Sequence, residues 1–263
     1  MPAMEPAHPL ERFDLSIKTP VGPVATTVEI STGFVPVTDI IPLLQRLGQQ
    51  AQALEQQRAT ATGQNISCAR GCAACCRMLI PVSVPEAFAL RDKLAALPTE
   101  RRQTFLDAIS STQTRLQQAG LLPRLRQLAD TDRPMTDEDI EPINRAYYAL
   151  KLPCPFLENE TCSIYEDRPA ACRELLVTSP ADWCQDMINK PVRTISVPLR
   201  ISTILGLIWS DATRSAPRLI PLPLALDWAD RHAAENRAHW KARDLLDKAL
   251  DTIGRFLSQR PSR

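Results

Sequence analysis

The chain has 263 residues, of which 44% are apolar and 5% aromatic, and its 31 basic and 30 acidic side chains leave a net charge of +1. This length accommodates one large domain or two small ones, with a core that depends mainly on Leu, Ile, Val and Ala. The near-neutral charge argues against a dedicated nucleic-acid-binding protein, which normally carries a basic surplus.

The N-terminal sequence MPAMEPAHPLERFDL has neither the basic start nor the apolar segment of a secretory signal. The longest near-apolar stretch, around residues 197–209, is interrupted by Arg200 and falls short of the roughly 20 residues that cross a bilayer. We therefore expect a soluble, cytoplasmic protein with no membrane partner. The reducing cytoplasm would leave its thiols free to bind metal.

A β-hairpin is predicted over residues 12–31. Polarity alternates from Phe13 to Ile17, and the sequence Pro-Val-Gly-Pro at 20–23 is typical of a turn. Apolar residues then recur at helical spacing from Ile40 to Leu54. A polar run continues that helix toward the first cysteines, where it could fray into a linker.

The middle of the chain contains several helix signals. Pro85 opens a predicted helix that runs through Leu97, and Thr99 is the expected N-cap of a helix that ends near Gly120. The polar residues 124–134 are predicted to form a loop.

Thr136 and Asp139 have the spacing of a capping box, which predicts a helix through about residue 150. The proline-rich residues 190–223 cannot be assigned from their pattern. One long helix is predicted over residues 224–257. Its apolar stripe is formed by Leu246, Ala249, Leu250, Ile253, Phe256 and Leu257.

These elements predict a mainly α protein with a small N-terminal β-hairpin. It would be an irregular helical domain in which two cysteine-bearing loops surround a metal site. We expect three parts: a hairpin plus helix over residues 1–60, a metal-binding cysteine-cluster domain over 61–190, and a helical extension over 191–263 packed on the same core.

The eight cysteines form two groups in the sequence. Four lie within nine residues, in the pattern Cys68-x3-Cys72-x2-Cys75-Cys76. The second group, with wider spacing, contains Cys154, Cys162, Cys172 and Cys184. Thiols gathered in this way usually hold a metal ion or an iron–sulfur cluster, so all eight are candidate metal ligands.

The spacing leaves the number of metal sites open. The eight thiols could form two four-sulfur sites, one shared polynuclear site, or a single site with some cysteines left over. The adjacent pair Cys75 and Cys76 is awkward for one tetrahedral ion, which favours a cluster slightly over zinc, or two cysteines that serve different metals. A disulfide framework and a redox dithiol at Cys72-x2-Cys75 are weaker alternatives.

On a helix, the first four cysteines would project from about one face, and a tight loop after Gly71 could converge them as well. Four thiolates around one metal leave a net negative charge. Nearby arginines could offset this charge and donate hydrogen bonds to sulfur. The candidates for this supporting role beside the cofactor are Arg70, Arg77, Arg168 and Arg173.

The first cysteine motif resembles the signature of the CxxCxxCC, or YkgJ-like, cysteine-cluster family, whose members are described as zinc- or iron-chelating proteins. The segments Cys154-Pro-Phe-Leu157 and Cys162–Arg173 resemble its second and third elements. The resemblance covers roughly residues 66–174 and leaves Cys184 outside. It implies metal or iron–sulfur binding on a mostly helical scaffold, without a reaction.

Two main functional hypotheses follow. The first is a metal- or cluster-binding protein, and the second is an iron–sulfur oxidoreductase or a protein- or peptide-modifying enzyme. A third is an adaptor that binds a protein partner through the hairpin or the C-terminal helix. His232 and His239, seven residues apart, could bind another metal, although packed or hydrogen-bonded histidines fit the pattern better.

Overall fold

The computed structural model describes residues 9–259, so the outermost residues of the predicted first and last parts lie outside it. The fold is mainly helical with small antiparallel strand pairs and an N-terminal hairpin, which confirms the predicted fold class. None of the helices in this range is long and apolar enough to cross a membrane.

The α-helices are α1 (Ile41–Ala61), α2 (Val84–Ala95), α3 (Thr99–Gln118), α4 (Leu122–Asp130), α5 (Asp137–Ala149), α6 (Ile201–Thr213), α7 (Ala225–Arg231) and α8 (Ala242–Ser258). The strands are β1 (Leu10–Thr19), β2 (Gly22–Ser31), β3 (Phe34–Pro36), β4 (Pro81–Val82), β5 (Leu157–Glu158), β6 (Thr161–Cys162), β7 (Ile220–Pro221) and β8 (His239–Lys241). They pair as β1–β2, β3–β8, β4–β7 and β5–β6, all antiparallel.

Strands β1 and β2 form the predicted hairpin. The turn closes at the pair Thr19 and Gly22, where the Thr19 hydroxyl donates to the Gly22 carbonyl at 2.7 Å. Gly22 has a φ of +125°, a conformation that residues with a Cβ rarely adopt. Val24 and Val28 are buried in the main core, as strand alternation requires for the face that packs on the protein.

The main core lies among α1, α2, α6, α7 and α8. Three aromatic rings meet there, with Phe88 centred 5.8 Å from Trp209 and 5.7 Å from Trp228. Helix α6, which carries Trp209, lies in the proline-rich region that the sequence pattern left unassigned. Leu44, Phe88 and Trp209 come from the three predicted parts of the chain, so each part contributes to one core.

Two helix starts show how local sequence sets the boundaries. The capping box predicted for α5 is present: the Asp139 N–H donates to Thr136 Oγ1 at 3.3 Å, and the Thr136 N–H donates to the Asp139 carboxylate at 3.0 Å. Thr99, predicted as an N-cap, is instead the first residue of α3, and Pro98 occupies the cap position without a side-chain hydrogen bond.

Helix α4 occupies most of residues 124–134, so the predicted loop there is wrong. Leu122, Leu125, Leu128 and Ala129 are buried on one face of α4. The three leucines pack with α5 in a second apolar cluster, and Ala129 packs in the main core. The charged and polar residues between them concealed this helical spacing.

The single long helix predicted over residues 224–257 is also wrong. Helices α7 and α8 are separated by β8, which pairs with β3 through Val35 and Trp240. The Trp240 ring lies 6.1 Å from that of Trp209. Because residues 232–241 contain neither Gly nor Pro, tertiary pairing rather than a local breaker interrupts the helix.

His232 and His239 consequently do not share a helix face. The His232 ring stacks on Trp228 at 4.0 Å between centroids, and its Nδ1 lies 2.8 Å from the Trp228 carbonyl oxygen. His239 is exposed in β8, with Nδ1 2.9 Å from the Arg237 carbonyl oxygen. Their geometry fits the packed and hydrogen-bonded alternative.

Candidate metal centre

The first cysteine motif lies in a series of tight turns rather than on a helix. The Cys72 N–H donates to the Ala69 carbonyl at 3.1 Å, and the Cys76 N–H donates to the Ala73 carbonyl at 2.9 Å. Gly71 has a φ of +89°, which interrupts a right-handed helix at this point. The loop alternative of the sequence analysis therefore describes the motif, and the helix is wrong.

The loop between α5 and α6 folds back onto this motif. The Ser67 N–H donates to the Val177 carbonyl at 2.9 Å, and the Val177 N–H donates to Cys68 Sγ at 3.3 Å. At the other end of the motif, the Cys154 N–H donates to the Cys76 carbonyl at 2.8 Å. The two cysteine groups of the sequence are thus adjacent in the fold.

In space, the thiols divide differently from the way they divide in sequence. We define the outer group as Cys68, Cys72, Cys75 and Cys184. These residues lie together around Ala74 and Val177. Burial raises the pKa of Cys184 to about 11, and the nearby thiols of Cys75, Cys68 and Cys72 add to this rise. Cys184, which lies more than a hundred residues downstream of Cys75, therefore shares its surroundings with the first motif.

We define the inner group as Cys76, Cys154, Cys162 and Cys172. Burial raises the pKa of Cys154 to about 12, with further contributions from Cys162 and Cys75. Burial also raises the pKa of Cys172 well above its usual range, and Cys154 and Cys162 add to the effect. The inner group joins one residue of the first motif to three of the downstream loop.

Cys75 and Cys76 connect the two groups. Hydrogen bonding between their side chains lowers the pKa of Cys75 and raises that of Cys76. Cys76 also interacts electrostatically with Cys154 and Cys172 of the inner group. By this definition the adjacent pair contributes one thiol to each group, and Cys75 also acts electrostatically on Cys154 of the inner group.

All eight cysteines are free thiols. Within residues 9–259, no three His, Cys, Asp or Glu side chains are already arranged to hold a metal ion, so the neighbouring thiols have not converged. Burial raises the pKa of Cys68, Cys154, Cys172 and Cys184, which favours protonated thiols when no cation is close. The donor set nevertheless fits zinc or iron, because each group supplies four thiols and both metals accept four thiolates.

The four candidate arginines have different surroundings. The charge of Arg168 favours the thiolate forms of Cys75 and Cys172, and its Nε donates to the Tyr165 carbonyl at 2.9 Å. Arg77 lies near Cys76 and pairs with Glu160 at 2.7 Å.

The other two arginines differ in their exposure and in their contact with cysteines. Arg173 follows Cys172, and its pKa is lowered by burial and by the nearby charge of Arg168. Arg70 is exposed and pairs with Glu166 at 3.3 Å. Arg168, Arg77 and Arg173 therefore each interact electrostatically with a cysteine side chain, whereas Arg70 is paired with a carboxylate.

Two residues outside the predicted metal-binding set, Glu86 and Tyr148, hold the cysteine loops in place. Buried Glu86 accepts hydrogen bonds from the Ser83 hydroxyl at 2.7 Å and from the Ala170 N–H at 2.6 Å, and so fixes the segment that carries Cys172. Its burial raises the pKa of its carboxyl group. The Ser83-x-x-Glu86 spacing is a capping-box signature that the sequence does display.

Tyr148 supports the segment around Cys184. Its hydroxyl donates to the Cys184 carbonyl at 3.1 Å and accepts from the Met187 N–H at 2.9 Å. No local pattern links Tyr148 to a residue so far along the chain, so this support becomes visible only in the folded structure.

Comparison with known proteins agrees with this geometry. Residues 67–187 match the model of the CxxCxxCC family, described as a "putative zinc- or iron-chelating domain", which confirms the predicted family resemblance for a little under half of the chain. The match extends past Cys184, so all eight cysteines lie inside it. No curated protein and no solved structure matches the chain.

Proposed function

We propose that residues 67–187, which match the CxxCxxCC family of zinc- or iron-chelating domains, hold two metal ions, each bound by four thiolates. The outer group would bind one ion and the inner group the other. The observation that carries this proposal is the packing of Cys68, Cys72, Cys75 and Cys184 around Ala74 and Val177, which leaves Cys76, Cys154, Cys162 and Cys172 for a second ion.

The grouping bears on the adjacent pair Cys75 and Cys76. One tetrahedral ion accommodates two neighbouring residues poorly, and for that reason the sequence slightly favoured an iron–sulfur cluster over zinc. With Cys75 and Cys76 in different groups, each ion would take only one residue of the pair. The geometry therefore supports mononuclear zinc or iron sites as well as it supports an iron–sulfur cluster.

Each proposed site would join distant parts of the chain. The outer site would link the first motif to Cys184, and the inner site would link Cys76 to three residues of the downstream loop. Binding would require the buried thiols to lose protons and move together, so ligation energy would also stabilise the fold. A site closed by four thiolates is typical of a structural or carrier role rather than of catalysis.

The experiment is anaerobic purification followed by elemental analysis, acid-labile sulfide determination and a visible spectrum. We expect two metal atoms per chain and no labile sulfide. Cys184→Ser and Cys162→Ser should each lose one metal atom and retain the other, because they change different groups. One metal atom per chain, or loss of both metals in each variant, would contradict two separate sites.

An iron–sulfur enzyme, either an oxidoreductase or a protein- or peptide-modifying catalyst, is a second candidate. It is favoured by a cavity lined by Cys68, Cys72, Cys75 and Cys172, which would give a small molecule access to the metal centre. Brown colour with labile sulfide in the anaerobic sample would support this candidate over two mononuclear ions.

A further inference from the structure

A cavity of about 480 Å³ lies beside the outer thiol group. Its volume is within the range of roughly 300–1,000 Å³ that is usual for small-molecule sites. Helix α1 contributes Gln45, Gln49, Gln52 and Gln56 to the lining, and the cysteine-bearing loops contribute Arg70, Arg168 and Arg173. The lining thus combines amides and guanidinium groups with the thiols.

The glutamines form a row along α1. Their spacing of four, three and four residues places them on one helix face, and the first and last are about 16 Å apart along the axis. A single ion needs far less room, since zinc–sulfur bonds are about 2.3 Å long. The cavity therefore extends well beyond the space that a thiolate-bound ion would fill.

Gln52 provides an unpaired donor in this row. Its side chain is 8% exposed, and its Nε2 is buried without a hydrogen-bond partner among residues 9–259. A buried amide without a partner is unfavourable, and a ligand acceptor would relieve this once the Gln52 side chain turns its amide into the cavity. In the sequence this region is only a polar run, whereas in the structure its glutamines line a cavity.

Two of the guanidinium groups in the lining have no carboxylate partner within salt-bridge distance in the described part of the chain, although Arg168 also lies close to Cys75 and Cys172. Among the described residues, neither Arg168 nor Arg173 forms a salt bridge, in contrast to Arg70. Arg173 Nε and Nη2 donate to the carbonyls of Arg168 and Glu166, which orients the group and leaves Nη1 without a hydrogen-bond partner within residues 9–259. The lining carboxylate of Glu174 already accepts hydrogen bonds from Ser202 at 2.9 and 2.6 Å.

We propose that this cavity binds a small anionic organic molecule. Its carboxylate or phosphate group would contact Arg173 and Arg168, and an acceptor elsewhere on the molecule would pair with Gln52. Arginine is common at anion sites because its planar guanidinium presents several hydrogen-bond donors to one carboxylate or phosphate. The site adjoins the proposed metal centre, since Cys68, Cys72 and Cys75 line the same cavity, but none of the three contacting side chains would be a metal ligand.

The test is calorimetric titration of the metal-loaded full chain with succinate and, separately, with inorganic phosphate. Sodium chloride keeps the ionic strength constant and serves as the control anion. We expect saturable binding of at least one of the two, and their relative affinity distinguishes a carboxylate site from a phosphate site. Absence of saturable binding of both anions overturns the proposal.

Three variants locate the binding. Arg173→Gln should weaken it at least about tenfold, and Gln52→Met, which keeps the side-chain length, about three- to tenfold. Gln50→Met is the matched control, because Gln50 is exposed on α1 outside the cavity, and it should change affinity less than about twofold. Unchanged affinity in both cavity variants would also overturn the proposal.

Elemental analysis of each sample separates the two proposals. Anion binding that falls in Gln52→Met while the metal content stays constant supports the cavity site. Wild-type protein that contains no metal refutes the proposed metal function, whatever the calorimetry shows. Should Arg173→Gln disturb the neighbouring Cys172, Gln52→Met still decides the outcome.

Discussion

Replacing Gly48 with alanine should not stabilise the protein, although the same change usually stabilises a helix. Gly48 lies in α1, where that helix meets the start of α6. A Cβ at this position would lie 2.5 Å from Cγ1 and 3.3 Å from Cδ1 of Ile201. Ile201 is itself buried, so α1 and α6 must separate or its side chain must change rotamer.

The size of the effect follows from two opposing terms. Alanine is favoured over glycine within a helix by about 0.8–1.0 kcal/mol. Overpacking of a filled core typically destabilises by about 1–3 kcal/mol. Gly48→Ala should therefore lie between neutral and about 2 kcal/mol less stable than the wild type.

Gly254→Ala is the matched control, because Gly254 lies within α8 and an added Cβ there would have no neighbour within 4 Å. Gly254→Ala should gain only the helix preference of alanine over glycine, about 0.8–1.0 kcal/mol. The difference between the two variants, about 1–3 kcal/mol, then isolates the contact with Ile201. Urea unfolding of metal-loaded protein, followed by circular dichroism, measures it, and equal stabilisation by both substitutions would refute the reasoning.

Three further predictions concern stability. Removing metal with a chelator should lower the melting temperature seen by circular dichroism, because ligation energy is also folding energy, and an unchanged melting temperature would contradict a structural role for the metals. Leu125→Ala should lower the free energy of unfolding by about 2–5 kcal/mol, because Leu125 is fully buried in α4. The control Arg126→Ala changes an exposed residue of the same helix and should alter this free energy by less than about 0.5 kcal/mol. Similar values for both variants in urea unfolding would argue against α4 as a packed helix. Hydrogen bonding to Arg133 holds the pKa of Asp139 well below its usual 3.8, so the stabilisation by this carboxylate is present above that pH and is lost as the pH falls. The wild type should therefore exceed Asp139→Asn in stability at pH 6 and lose this advantage toward pH 2, and a pH-independent difference would contradict the assignment.

The parts of the fold that could be predicted are those set by local sequence. The β1–β2 hairpin follows from strand alternation and a turn, and α5 follows from the capping box at Thr136. Helix α4 was missed because its apolar residues are separated by arginines and its role in the second apolar cluster depends on α5. The break before α8 depends on the pairing of β8 with β3, which lies some two hundred residues upstream.

The candidate site could likewise be predicted only in part from the sequence. Clustering in the sequence identified the eight cysteines, and no knowledge of the fold was needed for that. Their division into outer and inner groups could not be predicted, since it requires Cys184 to return to the first motif while Cys76 turns toward Cys154. The cavity was hidden because Gln52 is only one member of a polar run until α1 packs beside the cysteine loops.

The adjacency of Cys75 and Cys76 has a consequence for metal uptake. If an ion fixes one of these residues, the shared backbone restricts the other, so the second ion encounters a partly ordered site. Loading should then be positively cooperative, with apo and doubly loaded chains prevailing over singly loaded ones in native mass spectra at substoichiometric metal. A binomial distribution of the three species would indicate that the two sites fill independently.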